Sequence, residues 1–347
     1  MPKGFFTQSL FILLERPVTD DELKAALDGC EIHGSVQFHE EDAEGQPLVA
    51  EGQAEINWAG ADVLALALGT DARGALLVDV VPERWPDAMP DPEKSPRLFG
   101  ALATGQLGPF VFPGALERAF EMGRGEDRDL KSALDRHQAL LRLRATWALQ
   151  PREDDRPVPE DYNAKTELRW MVDIAANLLE ELPGALCYFN PNGEVLATLS
   201  EMEQALAHAD ENGQPPLELY ANVRFIEIAD LEGYGLVDVV GMWQLDVPDQ
   251  EALFKKDRYD PREVAMFLRH ASFVQMKGHS FGEGEEAGGP ARRAWRALPE
   301  RMSFVPMPRP VVRWIALDGT EAELPAAVTD KPLLDEASPE GGNTGAA

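Results

Sequence analysis

The chain has 347 residues, 44% of them hydrophobic, and it carries 61 acidic against 32 basic side chains for a net charge of −29 at pH 7. The hydrophobic share excludes a wholly disordered chain, because enough apolar surface is present to build a core. The negative charge repels phosphate backbones and anionic lipid surfaces, so we expect neither a nucleic acid nor a membrane as partner.

The N-terminal segment predicts a strand followed by a short helix. Residues 5–14 are largely apolar, and Glu15 and Arg16 follow them where a signal peptide would need small residues. Thr19 and Glu22 have the spacing of a capping box, which opens the helix. No stretch of the sequence reaches the length of a membrane-spanning helix, and we expect a cytoplasmic protein.

The next part of the chain predicts several strands and a packed loop. Residues 31–68 alternate in short patches typical of strands, and residues 74–81 predict a further strand. Residues 82–96 contain five prolines and therefore form a loop, since each proline fixes a backbone angle. Because the composition around Trp85 and Met89 is too apolar for a free linker, we expect the loop to pack down.

The most regular pattern is a helix at the centre of the chain. Asn163 is suited to its N-cap, since its side chain can accept an amide of the first turn, and Pro183-Gly184 ends it. Apolar side chains recur along one face at steps of three and four residues: Leu168, Met171, Val172, Ala175, Leu178, Leu179 and Leu182. We expect this face to lie in the core.

A hairpin and a second helix follow with little connecting chain. Residues 185–189 and 195–198 predict two strands, and the turn-forming sequence Asn190-Pro191-Asn192-Gly193 joins them. Ser200 and Glu203 have the spacing of a capping box for the next helix.

The overall pattern predicts an α+β fold. Further strands are expected at residues 217–228, 234–245 and 311–317, and a helix at residues 260–277. Many strands are adjacent in sequence, which favours two associated antiparallel-sheet units with helices packed on one face. The composition around residues 123–129 suggests a boundary, so we place the units at residues 1–125 and 130–317, followed by a disordered acidic C-terminal tail at 318–347.

Several long strings resemble a bacterial family that is known only as a domain of unknown function, number 4261. They are PERWPDAMPDP, LFGALATGQLGPFVFPGALERA, ELPGALCYFNPNGEVL, ANVRFIEI and YDPREVAMFLRHAS. The resemblance extends from about residue 5 to about residue 317 and implies a relation at the level of the fold. Since the family has no assigned catalytic residues, the resemblance transfers no active site and makes an enzyme less expected.

The sequence contains no phosphate loop, dinucleotide fingerprint, nucleophile elbow or zinc signature. We therefore predict no cofactor and no metal site. His39, Glu40, Glu41 and Asp42 include metal-ligand types, but adjacent residues on an extended strand face opposite ways and at most two of them converge. A solvated acidic loop is the favoured interpretation of this cluster.

Two histidines give weak candidates for a catalytic role. His270 and His279, with Glu283 nearby, bracket the end of the predicted helix at 260–277 and a glycine-rich loop. A hydrolase-type site is one interpretation of this group. The other is structural, because a helix C-terminus favours histidine without any function.

A third histidine, a cysteine and three arginines favour structural roles. His137 opens a predicted strand, and Cys187 lies in an apolar run as a buried, unreactive thiol. Arg142 and Arg144 are two apart and share one face of that strand. With Arg169, Glu167 and Asp173 they predict an ion-pair network, and the alternative is a surface that binds an anion such as a carboxylate.

An acidic segment gives the strongest functional expectation. No lysine or arginine occurs between Lys24 and Arg73, although ten acidic residues do. We predict that a binding surface for a basic protein includes the group Glu40, Glu41, Asp42 and Glu44. The expected function is a non-enzymatic cytoplasmic protein-binding protein, such as an immunity or accessory protein of a bacterial toxin or secretion system. The alternative is the hydrolase-type enzyme.

Overall fold

The computed structural model describes residues 4–28, 63–67, 74–122, 124–147, 158–228, 231–300, 302–305, 309–318 and 321–322. Its α-helices are α1 (Asp20–Asp28), α2 (Pro96–Ala103), α3 (Ala115–Glu121), α4 (Arg128–Arg136), α5 (Ala164–Glu181), α6 (Leu199–Asn212), α7 (Leu217–Tyr220) and α8 (Pro261–Met276). Its strands are β1 (Phe6–Leu14), β2 (Val63–Ala67), β3 (Ala75–Val81), β4 (Ala139–Thr146), β5 (Ala185–Asn190), β6 (Val195–Ala197), β7 (Asn222–Glu227), β8 (Tyr234–Val240), β9 (Asp249–Lys255), β10 (Glu286–Gly288), β11 (Ala294–Glu300), β12 (Val311–Asp318) and β13 (Glu321–Ala322).

The first sheet is antiparallel and has the order β2-β3-β4-β1-β5-β6. Its central strand β1 is buried along its whole length, which explains its nearly continuous apolar sequence. Leu10 and Ile12 point into the core shared with α1 and α5, whereas Phe11 and Leu13 point into a second cluster on the other face. Helices α2, α3 and α4 cover that second face, so helices lie on both sides of this sheet.

The second sheet has the order β10-β11-β12-β9-β8-β7. Its neighbouring strands are antiparallel except for β12 and β9, which are parallel. Helix α8 covers one face through Val264 and Leu268, against apolar side chains that include Trp295 and Trp314. Two sheets with mainly antiparallel pairing and packed helices confirm the predicted α+β class.

The predicted boundary at residues 125–130 passes through the first sheet. Strands β4, β5 and β6 follow that point in sequence but pair within the sheet that contains β1. The reason is that β1 has two edges to satisfy, and β4 pairs with one edge while β5 pairs with the other. The two sheets are divided instead between β6 and β7.

The predicted start of the tail is also too early. Asp318 is the last residue of β12 and pairs with Glu321 of β13, so the second sheet continues beyond residue 317. Residues 323–347, which contain the rest of the predicted tail, lie outside the described residues.

The central helix α5 forms as predicted. The Asn163 side chain accepts hydrogen bonds from the amides of Lys165 and Thr166, which caps the first turn. The apolar face lies in the largest core cluster, which also contains residues of both sheets. In addition, the Lys165 ammonium donates to the Met276 carbonyl at the end of α8. Helix α5 therefore ties the first sheet to the second.

The hairpin β5–β6 and the helix after it also form, but the cap differs from the prediction. The capping box uses Thr198 and Glu201, whose side chains bond each other's backbone amides. Ser200 is exposed within the helix. The sequence Thr-Leu-Ser-Glu-Met-Glu contains the motif in two frames, and the end of β6 at Ala197 selects the earlier one. At α1 the predicted capping box of Thr19 and Glu22 is confirmed.

The burial of α5 makes a direct stability prediction. Leu178 is fully buried on α5, so we expect Leu178→Ala to destabilise the fold by about 2–5 kcal/mol through lost apolar contact and a cavity. Glu180→Ala on the exposed face of the same helix is the control, with an effect within about 0.5 kcal/mol. Denaturant unfolding measures both variants. Equal midpoints for the two would contradict the placement of this face in the core.

Candidate functional site

A cleft of about 320 Å³ opens where the two sheets meet. One part of its lining is aromatic and aliphatic: Phe110, Phe112, Ile226, Val240, Trp243 and Val305. Another part is charged: Arg118, Glu194, Arg224, Asp249 and Arg309. These residues come from the loop before α3, α3 itself, the β5–β6 turn, β7, the end of β8, the 3-10 turn after it, the start of β9 and the chain before β12.

The turn between β5 and β6 makes the junction at the base of the cleft. The Asn190 side-chain oxygen accepts the amides of Asn192 and Gly193 at 3.2 and 3.3 Å, which fixes the turn. Gly193 lies so close to the backbone of Tyr220 that an added Cβ would sit 2.0 Å from its carbonyl oxygen. Its own carbonyl accepts the Asn222 amide at the start of β7. Only glycine permits this approach of the two sheets.

Asn192 in the same turn places the aromatic lining. Its side-chain oxygen accepts the Phe110 amide at 3.1 Å, and its side-chain nitrogen donates to the Ser9 carbonyl at 3.2 Å. Phe110 in turn stacks on Trp243, with ring centroids 4.8 Å apart and an interplanar angle of 28°. A turn that is buried in the first sheet thus holds an aromatic pair at the cleft.

Asp249 places Trp243 from the other side. One of its carboxylate oxygens accepts the backbone amides of Gly241, Met242 and Trp243 at distances of 2.7–3.2 Å. These amides belong to the N-cap residue and the first two residues of the short 3-10 turn Met242–Leu245, and they point toward one anion. The carboxylate is therefore part of the support of the aromatic lining.

A buried chain of alternating charges connects these parts. The ion-pair chain consists of Arg118, Glu194, Arg224, Asp238, Arg309 and Asp249, in that order. Arg118 is 24% exposed, whereas every other member is at least nine-tenths buried. Three positive and three negative groups balance, which is the condition under which buried charges are tolerated.

The ion-pair chain depends on strand register and on one strained residue. Arg224 and Asp238 lie directly opposite each other on β7 and β8, and the guanidinium and carboxylate bond at 2.9 Å. Glu194 adopts a left-handed conformation with φ of 50°, which is unfavourable for a side-chain-bearing residue. From there its carboxylate reaches Arg118 at 2.7 Å and Arg224 at 2.8 Å.

The electrostatics keep Arg224 charged. Burial alone lowers the pKa of its guanidinium, but the Asp238 and Glu194 carboxylates outweigh this effect and raise the pKa above its usual value. The two ion pairs therefore favour the charged form of Arg224 in spite of its burial.

The sequence-predicted catalytic candidates lie elsewhere. His270 and Glu283 are both exposed. The predicted neighbour of His279 was Glu283, but its Nε2 instead lies 2.7 Å from the Oε1 of Glu285. The amide of Gly282 and the His279 side chain lower the pKa of Glu285. None of these residues lines the cleft. The predicted binding group, Glu40, Glu41, Asp42 and Glu44, lies outside the described residues.

The predicted arginine network exists with a different partner. Arg142 and Arg144 share a face of β4, as expected. Their partner is the buried Asp79 of β3, whose carboxylate lies 2.5 Å from Nη2 of Arg142 and 3.1 Å from Nη2 of Arg144. Arg142 lies directly opposite Asp79 in the β3–β4 register, which the sequence could not show. Because both arginines are buried, they form a structural network and not an anion-binding surface.

The other members of the predicted network, Arg169, Asp173 and Glu167, do not join Arg142 and Arg144. Arg169 pairs with Asp173 at 2.9 Å, as expected, and also with Asp210. Glu167 accepts hydrogen bonds from the Trp147 indole at 2.7 Å and the Tyr162 hydroxyl at 2.9 Å. Its role is to join the end of β4 to the start of α5.

Cys187 is buried, as predicted. Its side chain lies in the cluster on the second face of the first sheet, and burial raises the pKa of its thiol to about 12. The reactive thiolate is therefore scarce at neutral pH. Cys30 lies outside the described residues.

His137 has the structural role that was predicted, although it caps helix α4 and β4 begins only at Ala139. Its Nδ1 lies 2.6 Å from the Leu134 carbonyl, so Nδ1 carries the proton and donates, while Nε2 accepts the Trp85 amide at 3.3 Å. This arrangement requires the neutral ring. Burial lowers the pKa of His137.

His137 therefore makes the fold sensitive to acid. Because the folded pKa is lower than the unfolded one, the unfolded chain binds more protons, and stability falls as the pH drops below about 6.5. We expect His137→Gln to flatten the dependence of the unfolding midpoint between pH 7 and pH 5. His208→Gln, at an exposed site on α6, is the control and should leave the slope unchanged. A slope equal to that of the parent in His137→Gln would contradict this role.

Comparisons with known proteins give no relative: no family model, no curated protein and no solved structure matches the chain. The resemblance to family number 4261 stays a prediction. Within the described ranges, no helix combines the length and the apolar character needed to cross a bilayer. In the same part of the chain, no group of three or more His, Cys, Asp or Glu side chains is placed to hold a metal ion.

Proposed function

We propose that this protein is a non-enzymatic binding protein and that the cleft between the sheets is its binding site. The observation that carries the proposal is the preformed cavity itself, with stacked aromatic rings in one part of its lining and buried arginines in another. Its volume of about 320 Å³ falls at the lower end of the range for small-molecule pockets, about 300–1,000 Å³.

The hydrogen bonds in the cleft favour binding over acid–base catalysis. Each oxygen of Glu194, Asp238 and Asp249 already accepts a hydrogen bond from an arginine or a backbone amide. A general base must come within hydrogen-bond reach of the proton that it abstracts, and these three carboxylates are at least nine-tenths buried and paired with arginines. No observation favours the hydrolase alternative, since His270 and His279 lie outside the cleft.

The setting we propose is the one that the sequence predicts. The protein acts in the cytoplasm, as an immunity or accessory protein of a bacterial toxin or secretion system. The net charge of −29 and the acidic segment around Glu40 support a basic protein partner. The cleft supports the proposal independently of that segment, because it is built from described residues alone.

Filling the cleft tests the proposal. Ile226 lines the cleft from β7, while Phe225 is 49% exposed and points to the other face of the same strand. We expect Ile226→Trp to block binding and Phe225→Trp to preserve it. The measurement is a thermal-shift screen of small aromatic fragments that includes acids, neutral amides and amines of matched shape.

At a concentration well above its dissociation constant, a bound fragment should raise the midpoint of the wild type and of Phe225→Trp by about 2 °C or more. The midpoint of Ile226→Trp should stay unchanged. The proposal fails if no fragment of any charge stabilises the wild type, or if the same fragments stabilise Ile226→Trp equally.

A further inference from the structure

We infer that the cleft takes a small organic acid, with a flat apolar body against the aromatic rings and its acidic group on Arg118. This inference rests on the proposed function and names the class of ligand. Two features of the lining carry it: an excess of hydrogen-bond donors among the charged residues, and the stacked pair Phe110–Trp243.

The donor excess follows from a count of N–H groups. A guanidinium carries five N–H donors and no acceptor. Among the described residues, Arg224 and Arg309 each donate three hydrogen bonds, and Arg118 donates two, to Glu194 and to the Pro113 carbonyl. The three carboxylates of the ion-pair chain offer about twelve lone-pair sites and accept nine hydrogen bonds, so more donors than acceptors remain for a ligand.

Arg118 is the member placed to receive the ligand. It ends the ion-pair chain and is its most exposed side chain, at 24%. Its Nη2 is buried and lies 2.7 Å from a Glu194 oxygen that Nε also bonds, so the ion pair holds this side of the guanidinium. The guanidinium uses two of its five N–H donors in hydrogen bonds to described residues, and an acidic ligand would accept a charge-assisted hydrogen bond from its exposed part. An amine would be repelled by this guanidinium, which is the most exposed charge of the ion-pair chain.

The apolar lining sets the size and shape of the body. An apolar cavity of about 150 Å³ is enough for benzene, so a cleft of about 320 Å³ has room for one ring system and a short acidic arm. Phe110 and Trp243 are already stacked, and a further flat group can pack beside them in the same orientation. Ile226, Val240 and Val305 contribute further apolar surface to the lining.

Calorimetric titration with three probes of one shape tests the class of ligand. They are phenylacetate, phenylacetamide and phenethylamine, which carry an anionic, a neutral and a cationic group. For the full-length wild type we expect phenylacetate to bind about 10- to 100-fold more tightly than phenylacetamide, the gain typical of a hydrogen bond to a charged group. Phenethylamine should bind most weakly.

Substitutions of Arg118 test whether this residue causes the preference for the acid over the amide. Arg118→Gln should bring the ratio between acid and amide close to one, and Arg118→Lys should restore part of it, because the ammonium keeps the charge. Arg124→Gln is the matched control: Arg124 is 30% exposed, pairs with Asp127 and Glu201, and does not line the cleft. It should keep the wild-type ratio.

The outcomes separate this inference from the proposed function. Amides or amines that bind as tightly as the acid, or an acid preference that survives in Arg118→Gln, overturn the ligand class while the cleft remains a binding site. Failure of phenylacetate to bind the wild type also overturns it. If Arg118→Gln does not fold, the wild-type ratio and Arg118→Lys decide. Absence of binding by every charge type in the fragment screen overturns the proposed function itself.

Discussion

Replacement of Trp85 by alanine is expected to destabilise the protein by about 3–5 kcal/mol. Trp85 is 6% exposed, although it lies in a proline-rich loop. Its ring packs edge-on against Phe11 of β1 and Phe189 of β5, with centroid distances of 5.0 and 4.9 Å. The substitution would leave a cavity between the loop and the centre of the first sheet.

The loss of Trp85 should also disturb the position of Arg118 in the cleft. The Trp85 indole donates to the Asp87 carboxylate at 3.1 Å, and that carboxylate accepts the amides of Leu116 and Glu117 in the first turn of α3. Arg118 follows directly on that turn. We therefore expect Trp85→Ala to weaken the binding of any cleft ligand as well as the fold.

Met89 provides the control in the same loop. It is 62% exposed, so Met89→Ala should change stability by less than about 0.5 kcal/mol. Denaturant unfolding distinguishes the two variants. A loss in Trp85→Ala no larger than that in Met89→Ala would contradict the packing of the loop on the sheet.

Replacement of Glu194 by alanine is expected to destabilise by about 3–5 kcal/mol, the usual effect of removing one partner of a buried ion pair. Glu194 is the only described carboxylate bonded to Arg118, and it is one of two bonded to Arg224. Its loss would leave a buried excess of positive charge between the two sheets. Glu194→Gln keeps the shape and isolates the effect of the charge.

An exposed ion pair on β7, the strand that carries Arg224, is the control. Glu227 at the end of β7 pairs with Lys256 at 2.7 Å, but its side chain is 88% exposed. Water and salt screen such pairs, so Glu227→Gln should change stability by less than about 1 kcal/mol. Similar losses in Glu194→Gln and Glu227→Gln would show that the ion-pair chain contributes little to the junction.

The sequence predicted local structure well wherever the signal lay within a short stretch. The apolar period of α5, the cap at Asn163 and the hairpin β5–β6 all depend on neighbouring residues, and all are confirmed. The capping box before α6 was shifted by two residues, because Thr198 and Ser200 both have a glutamate three positions later. Only the end of the preceding strand decides between them.

The sequence does not show which strands pair with each other when they lie far apart in the chain. Nothing in the apolar run of β1 shows that β4 and β5 flank it, so the boundary at residues 125–130 passes through a sheet. The cleft was missed for the same reason. Arg118, Glu194 and Arg309 lie far apart in the chain, and each is unremarkable among its neighbours. The one local signal was the Asn190–Gly193 turn, whose burial no sequence pattern indicates.

The central claim is that ligands enter the cleft beside Trp243, and the indole signals of the seven tryptophans test it most directly. Proton–nitrogen correlation spectra would be recorded during titration with phenylacetate, with the signal of Trp243 assigned through Trp243→Phe. The account predicts that this signal shifts and saturates, while those of Trp295 and Trp314 in the core of the second sheet stay fixed. A fixed Trp243 signal under saturating ligand, or shifts at Trp295 and Trp314 alone, would contradict it.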